Sequence, residues 1–193
     1  MPTQFAVDDL TSMRKSLLEE LEKMHDVARH PFRVPWMATI DGDGTSPAVR
    51  MMVCRHVLEE GRVFIFFTDK RSKKMDNLRQ RPTVEIGFYS RDLGCQIRTV
   101  CDVEICDYHT LEEKYKISPD IEGVKDYKTD VPPGTEIGAA DAGHHANAKD
   151  NFTALVCRMR QMDWLVLGEE RNTRGMFQWD EDGICFRSTH LAP

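Results

Sequence analysis

The sequence predicts a mainly β chain with peripheral helices, built as an antiparallel β-barrel or sandwich. Three observations carry this. Many short segments are rich in apolar and β-branched residues, turn residues of hairpin type lie between them, and too few helical segments follow the strands for a doubly wound α/β sheet. The chain has 193 residues, 40% hydrophobic and 30% charged, which suits one compact domain over 1–193 with a real core.

Asp8 to about Arg29 reads as an amphipathic helix. Leu10, Met13, Leu17, Leu21 and Met24 recur at three- and four-residue spacing, and Asp8 or Asp9 caps the start. Pro31 ends it by pushing His30 out of the helical region. Phe32–Ile40 and Ser46–Val57 read as strands joined across Asp41–Gly44, a D-G-D-G hairpin signal. Gly61–Thr68 (GRVFIFFT) is a strand apolar on both faces, and Lys70–Gln80 a short charged helix anchored by Met75 and Leu78. Thr83–Tyr89 and Leu93–Cys106 follow as strands. In the second, Ile97, Thr99, Cys101, Val103 and Ile105 share one face, and Gln96, Arg98, Val100, Asp102 and Glu104 the other. His109–Ile117 reads as a turn or two of helix. Residues 118–150, with three prolines, four glycines and seven acids, read as a long loop of the functional or disordered kind. Strands resume at Phe152–Arg160, Asp163–Leu167, Gly175–Trp179 and Ile184–Arg187.

The charge balance excludes some functions. With 26 Lys+Arg against 32 Asp+Glu the net charge is −6, which opposes general nucleic-acid binding, since that needs cations to neutralise phosphates. Yet residues 50–100 carry 11 basic and 6 acidic side chains, a local net of +5 suited to one small anion. No apolar run approaches the roughly 18–20 residues of a membrane span. The N-terminus lacks the pattern of a secretory signal, so the expectation is a soluble cytoplasmic protein. Six cysteines form no C-x-x-C pair and are expected reduced and mostly buried, and no histidine or cysteine spacing points to a metal.

The chemistry concentrates where strand meets helix, Phe66 to Leu78 (FFTDKRSKKMDNL). Asp69 or Ser72 would cap the helix, leaving Lys73 and Lys74 in its first turn, where the helix dipole disfavours cations unless an anion sits among them. Backbone N–H groups, a serine hydroxyl and two ammonium groups make a phosphate cradle; a solvated helix face is the alternative this segment leaves open. Upstream, Arg50 and Arg55 interrupt the apolar strand RMMVCR. Either they snorkel to water or they meet a partner. Their spacing puts them on opposite faces of an ideal strand, so a bulge intervenes or they serve different sites. Gln96 either hydrogen-bonds a heterocycle or faces solvent.

RMMVCR, then FFTDKRSKKMDNLRQRPTVEIGFY, then QIRTVCDVEI resemble in order and spacing the pyridoxamine 5′-phosphate oxidase family of FMN proteins. The ending HLAP is close to the R-L-A-P of that family's oxidases. The resemblance covers Phe32 to Cys106 well and Phe152 to Pro193 more loosely. It implies an antiparallel split β-barrel and a homodimer with FMN at the interface. By position, Arg50 looks like the FMN-phosphate arginine, and Met51, Met52, Val53 and Cys54 would line the flavin ring with backbone groups. Phe67 and Thr68 fall on the family's Y-T pair, Ser72, Lys73 and Lys74 on its S-R-K, and Gln96 and Arg174 on residues beside the flavin. Arg55 sits where the family has a lysine near both cofactor and substrate.

The substrate side departs from the pattern. EKYKISPD keeps Tyr115 but has Pro119 at the position of an arginine. Pro133–Ala139 (PGTEIGA) resembles the family's S-Q-I-G-A with Thr135 for serine, and His144-His145 replace a Gln-Ser pair. The C-terminal R-L-H-D-R is reduced to R-N-T-R at Arg171–Arg174. The implied activity is an FMN-dependent oxidase of a small amine or alcohol with O2 as acceptor, its substrate, a pyridoxine-type phosphate or another, left open. A non-catalytic FMN-binding or redox-sensing protein is the alternative, and a nucleic-acid-binding barrel is opposed by the overall acidity.

Overall fold

The computed structural model describes all residues except 1–4, 28, 42, 120–123, 139–142, 144 and 145. His144, His145 and Ala139 therefore lie outside the described residues. Helix α1 (Leu10–Asp26) starts on Asp9, whose carboxylate accepts from Thr11 N–H. It buries Met13, Leu17, Leu21 and Met24 completely. After a 3-10 turn at Pro31–Arg33 come strands β1 (Trp36–Ile40), β2 (Pro47–Met51), β3 (Cys54–Leu58) and β4 (Val63–Asp69), then helix α2 (Lys73–Gln80). Strands β5 (Thr83–Ser90) and β6 (Cys95–Cys106) precede helix α3 (Tyr108–Tyr115). A short helix α4 (Ala148–Asn151) leads into β7 (Phe152–Val166), β8 (Thr173–Trp179) and β9 (Cys185–Leu191).

The described strands pair antiparallel in the order β2-β1-β5-β6-β7-β4-β3, with β8 on β7 and β9 on β8. Two features turn this sheet into a split barrel, as the family resemblance implies. First, the expected strand Ser46–Val57 is two strands. It pairs with β1 as far as Met51, breaks at Met52–Val53, and pairs with β4 from Cys54. Chain continuity through the break closes the ring. Second, the two strands expected at 152–160 and 163–167 are one. β7 follows β6 along one edge, while its other edge pairs with β4 up to Arg158 and with β8 from Gln161. The barrel splits where β7 changes partner.

β4 explains why its sequence is apolar on both faces. Phe64 and Phe66 point into the barrel core with Phe88, Ile97 and Trp164, while Val63, Ile65 and Phe67 enter an outer core under Leu111 and Ile117. On β6 the expected inner face holds through Val103, but Ile105 is exposed and Cys106 is buried instead, because the strand passes beneath α3. Five of the six free cysteines are buried, as expected, and Cys185 is half-buried.

One buried group was not legible as such. Glu20 lies on the inner side of α1, 2.9 Å from His30 Nε2 and 2.6 Å from Lys23 Nζ. His30 Nδ1 accepts from Phe32 N–H, which leaves Nε2–H to donate to the carboxylate. Burial pulls the Glu20 pKa up, but the hydrogen bonds from Lys23 and His30 outweigh it, and the net direction is down. The group therefore contributes stability that is complete above the ordinary glutamate pKa of about 4.3 and is lost as pH falls through the lowered folded value. Glu20→Gln is expected to cost about 1–3 kcal/mol at pH 7 in urea unfolding, with the gap to wild type closing on acidification below about pH 4. A gap independent of pH would count against this role.

Candidate functional site

Two cations converge beside the start of α2. Arg50 lies opposite Met37 in the β1–β2 ladder, and its Nη1 donates to Thr39 Oγ1 at 2.8 Å and more weakly to Met37 O at 3.4 Å. Lys74 Nζ donates to Thr68 Oγ1 at 3.0 Å and to Ser72 Oγ at 2.9 Å. Burial lowers the pKa of both; for Lys74 the charge of Arg50 lowers it further, against an opposing pull from Asp69. Ser72 is the N-cap of α2 but makes no side-chain cap bond, since its hydroxyl donates to Asp69 O at 2.7 Å. The amides of the first turn are thus left without a side-chain acceptor.

Among the described residues no carboxylate forms an ion pair with Arg50 or Lys74. Asp69, whose charge acts on Lys74, gives both oxygens to Arg71, at 3.0 Å to Nε and 2.7 Å to Nη2, and Asp41, whose charge acts on Arg50, is held by Lys73 and Asn77. Two partly desolvated cations facing each other with no carboxylate in direct contact among the described residues are unfavourable, and a bound anion relieves the repulsion. The ammonium, the guanidinium, the Thr68 hydroxyl and the amides of Lys73 and Lys74 form a donor set that fits a phosphate monoester, while the Ser72 hydroxyl is given to Asp69 O and Met75 N–H to Ser72 O. Thr68, Asp69, Ser72 and Lys74 form one wall of a cleft of about 320 Å³; the other wall is the segment Tyr127–Ile137.

Lys73 is not part of this convergence. Its ammonium is 81% exposed and lies 3.4 Å from Asp41, which also receives Asn77 Nδ2 at 3.2 Å. Consecutive residues on a helix point about 100° apart, so Lys73 and Lys74 do not share one direction.

The other expected residues fall in three places. Met52 and Cys54 point into the core, while Met51 and Val53 expose their side chains around the break between β2 and β3. Burial pushes the Cys54 thiol up to about 12, which keeps it protonated and inert. Arg55 and Phe67 lie on the outer side of the barrel, with the guanidinium 5.9 Å from the ring centroid. Arg50 and Arg55 thus serve different surroundings, separated by the strand break and a register shift between Cys54 and His56. Tyr115 closes α3, and its hydroxyl donates to Glu104 at 2.6 Å. Pro119 is buried.

Gln96 and Arg174 occupy one cross-strand row on the outer face of the sheet, through Leu165. Arg174 does not stand free. Its Nε and Nη2 donate to Asp163 at 3.1 and 2.7 Å, and Arg98 Nη2 reaches the same carboxylate at 2.7 Å. On this face Trp36, Val49, Met51 and Tyr89 are each more than half exposed.

Sequence reasoning missed Thr39, Arg71 and Asp163; it marked 118–150 as a long loop of the functional or disordered kind and Pro133–Ala139 as a family-like segment on the substrate side, but not that Tyr127–Ile137 walls the cleft beside Lys74. Asp69-x-Arg71 at a strand end was the one local hint, since an aspartate there can hold an arginine two residues on.

Comparison with known proteins identifies the family. The pyridoxamine 5′-phosphate oxidase FMN-binding domain matches residues 11–107. No curated protein matches the chain. Among solved structures, a pyridoxamine 5′-phosphate oxidase-related, FMN-binding protein from Nostoc punctiforme is 22% identical, with a TM-score of 0.74 over 92% of this chain and 96% of that one. PhzG from Burkholderia lata, solved with tetrahydrophenazine-1-carboxylic acid, is 19% identical, with a TM-score of 0.69 over 100% and 97%. A Clostridium acetobutylicum protein related to general stress protein 26 is 14% identical, with a TM-score of 0.54 over 83% and 94%. At these identities the likeness is one of fold. The three sequence motifs, the split barrel and the family match agree: this chain belongs to the pyridoxamine 5′-phosphate oxidase family and carries its FMN-binding domain.

Proposed function

We propose that the chain is an FMN-dependent oxidase of a small amine or alcohol, with O2 as acceptor, working as a homodimer. The observation that carries this reading is the convergence of Arg50 and Lys74, with no carboxylate in ion-pair contact among the described residues, at the start of α2, whose N-cap makes no side-chain bond. When bound, FMN supplies a hydride acceptor that dioxygen can reoxidise. Arg50, Lys74, Thr68 and Ser72 hold the phosphate, with Lys73 adding long-range charge from the surface. The strand break at Met52–Val53, between Met51 and Cys54, where Met52 N–H is already given to Pro35 O at 3.1 Å, would line the ring with its remaining backbone groups, and Gln96 would hydrogen-bond it. Asp163 holds Arg174 in place beside it. Arg55 orients an anionic substrate over Phe67, and Tyr115 lines the same outer side. No side chain acts as a covalent nucleophile.

The homodimer rests on the outer sheet face. Trp36, Val49, Met51 and Tyr89 are exposed together there, and a contiguous apolar patch of this kind marks an interaction surface; Gln96 and Arg174 border it. A second copy covering that face would bring these residues to a shared flavin.

One observation favours a non-catalytic flavin-binding or redox-sensing role. The Tyr115 hydroxyl is already taken by Glu104, and buried Pro119 replaces the arginine that would grip a substrate phosphate. A single preparation separates the readings. The purified protein is expected to elute as a dimer and to show a flavin visible spectrum after addition of FMN. Anaerobic mixing with pyridoxamine or pyridoxine phosphate, or with a panel of small amines and alcohols, is expected to bleach the flavin. No bound flavin sinks both readings, and bound flavin that no substrate bleaches leaves the sensor.

A further inference from the structure

We propose that Arg71 is a positioning residue that locks the Tyr127–Ile137 segment as the second wall of the phosphate cleft, so that it governs how long a phosphate-bearing flavin is retained. The inference rests on the reading of Arg50 and Lys74 as the phosphate site and goes beyond it, since Arg71 touches neither.

The geometry is that of a latch. Arg71 sits in the turn between β4 and α2, with its guanidinium flat against Asp69 and its far side turned to the loop. Nη2 donates to Thr129 O at 3.0 Å and Thr129 Oγ1 at 3.2 Å, and Nη1 to Asp130 O at 3.3 Å. A second tie comes from Asn151, whose Nδ2 donates to Tyr127 O at 2.8 Å and Thr129 O at 3.2 Å. Both ties fall at the base of the segment. Its tip is stiff in itself. Pro132 and Pro133 restrict the backbone, Gly134 takes a φ of +89°, and Thr135 N–H closes the turn on Pro132 O at 3.2 Å. A stiff tip on a pinned base holds Thr129, Val131 and Thr135 against the cleft that Lys74 lines.

Arg71 has a second consequence for the same cleft. Asp69 lines it and is only 4% exposed. With Arg71 in place that charge is neutralised in a bidentate pair; without it a bare carboxylate would stand beside Lys74 and repel a phosphate. Lysine at this position could not span Asp69 and two loop carbonyls at once. Loss of Arg71 therefore acts on the phosphate and not on the ring.

The test is release of flavin from the holoprotein, read as recovery of free-flavin fluorescence after dilution. FMN and riboflavin, which lacks the phosphate, are compared in wild type, Arg71→Ala, Arg71→Lys, Pro132→Gly/Pro133→Gly and Lys74→Ala. Loss of charge-assisted hydrogen bonds of this kind is expected to speed FMN release about tenfold or more in Arg71→Ala, with riboflavin release changed less than about twofold. Arg71→Lys should fall between. The double glycine variant leaves the Arg71–Asp69 pair intact, so it carries the test if Arg71→Ala fails to fold, and it too should speed FMN release. Unchanged FMN release in a folded Arg71→Ala, or equal acceleration of both flavins, overturns the latch. If Lys74→Ala speeds FMN release and Arg71→Ala does not, the latch alone fails; if neither does, the phosphate site fails.

Discussion

Arg50→Ala combined with Lys74→Ala is expected to weaken FMN binding by about 10²–10⁴-fold, because each removes a charge-assisted contact of roughly 1.5–3 kcal/mol. The two side chains are cations that converge with no carboxylate in ion-pair contact among the described residues, and the hydroxyls of Thr39, Thr68 and Ser72 hold them in place. Lys73→Ala provides the contrast. Its ammonium is 81% exposed and already paired with Asp41, so its loss should change affinity less than about threefold. The pH dependence has a sign. Lys74 has a lowered pKa, so in the free protein it gives up its proton at lower pH than an ordinary lysine, and FMN affinity should begin to fall earlier on the alkaline side than an exposed lysine would predict. Fluorescence titration of each variant with FMN checks both statements. Equal losses for Lys73→Ala and Lys74→Ala would refute the assignment.

Gly175→Val is expected to destabilise the fold by about 3 kcal/mol or more, at the upper end of overpacking costs, and Gly175→Ala by about 1–3 kcal/mol. A Cβ at Gly175 would stand 2.5 Å from Cζ2 and 2.7 Å from Cε2 of Trp164, and 2.8 Å from the backbone oxygen of Thr189. None of these neighbours has room to retreat. Trp164 is fully buried, stacked on Phe177 at 6.2 Å and edge-on to His190 at 6.1 Å. Thr189 belongs to β9, which is fixed by its ladder with β8. The glycine lets the indole lie flat beneath the strand that carries Arg174. Trp164→Leu should therefore rescue part of the Gly175→Val loss, and urea unfolding of the four corners of the cycle measures it. A fully additive cycle would mean that the two side chains do not compete for the same space.

The sequence alone determined whatever depends on neighbours along the chain. Helix α1 was readable because Met13, Leu17, Leu21 and Met24 repeat with the helical period and Asp9 stands at the cap. The strand Val63–Asp69 was readable because it is apolar on both faces. The phosphate motif was readable because a strand, a turn and a helix start present Thr68, Ser72 and Lys74 within seven residues, and the family's motifs lie in just such local segments.

Tertiary structure decided the rest, because it depends on pairings between distant parts of the chain. Local periodicity placed a break near Gln161, where β7 in fact continues while its edge passes from β4 to β8. It could not separate Lys73 from Lys74, since only the fold brings Asp41 to one and Arg50 to the other. It gave no sign that Arg71 would meet Thr129, 58 residues on, or that Arg98 and Arg174 would share Asp163, 65 residues from the first. A charge in a sequence has a sign but no partner. The partner is chosen when burial makes an uncompensated charge costly, and that cost exists only once the barrel has closed.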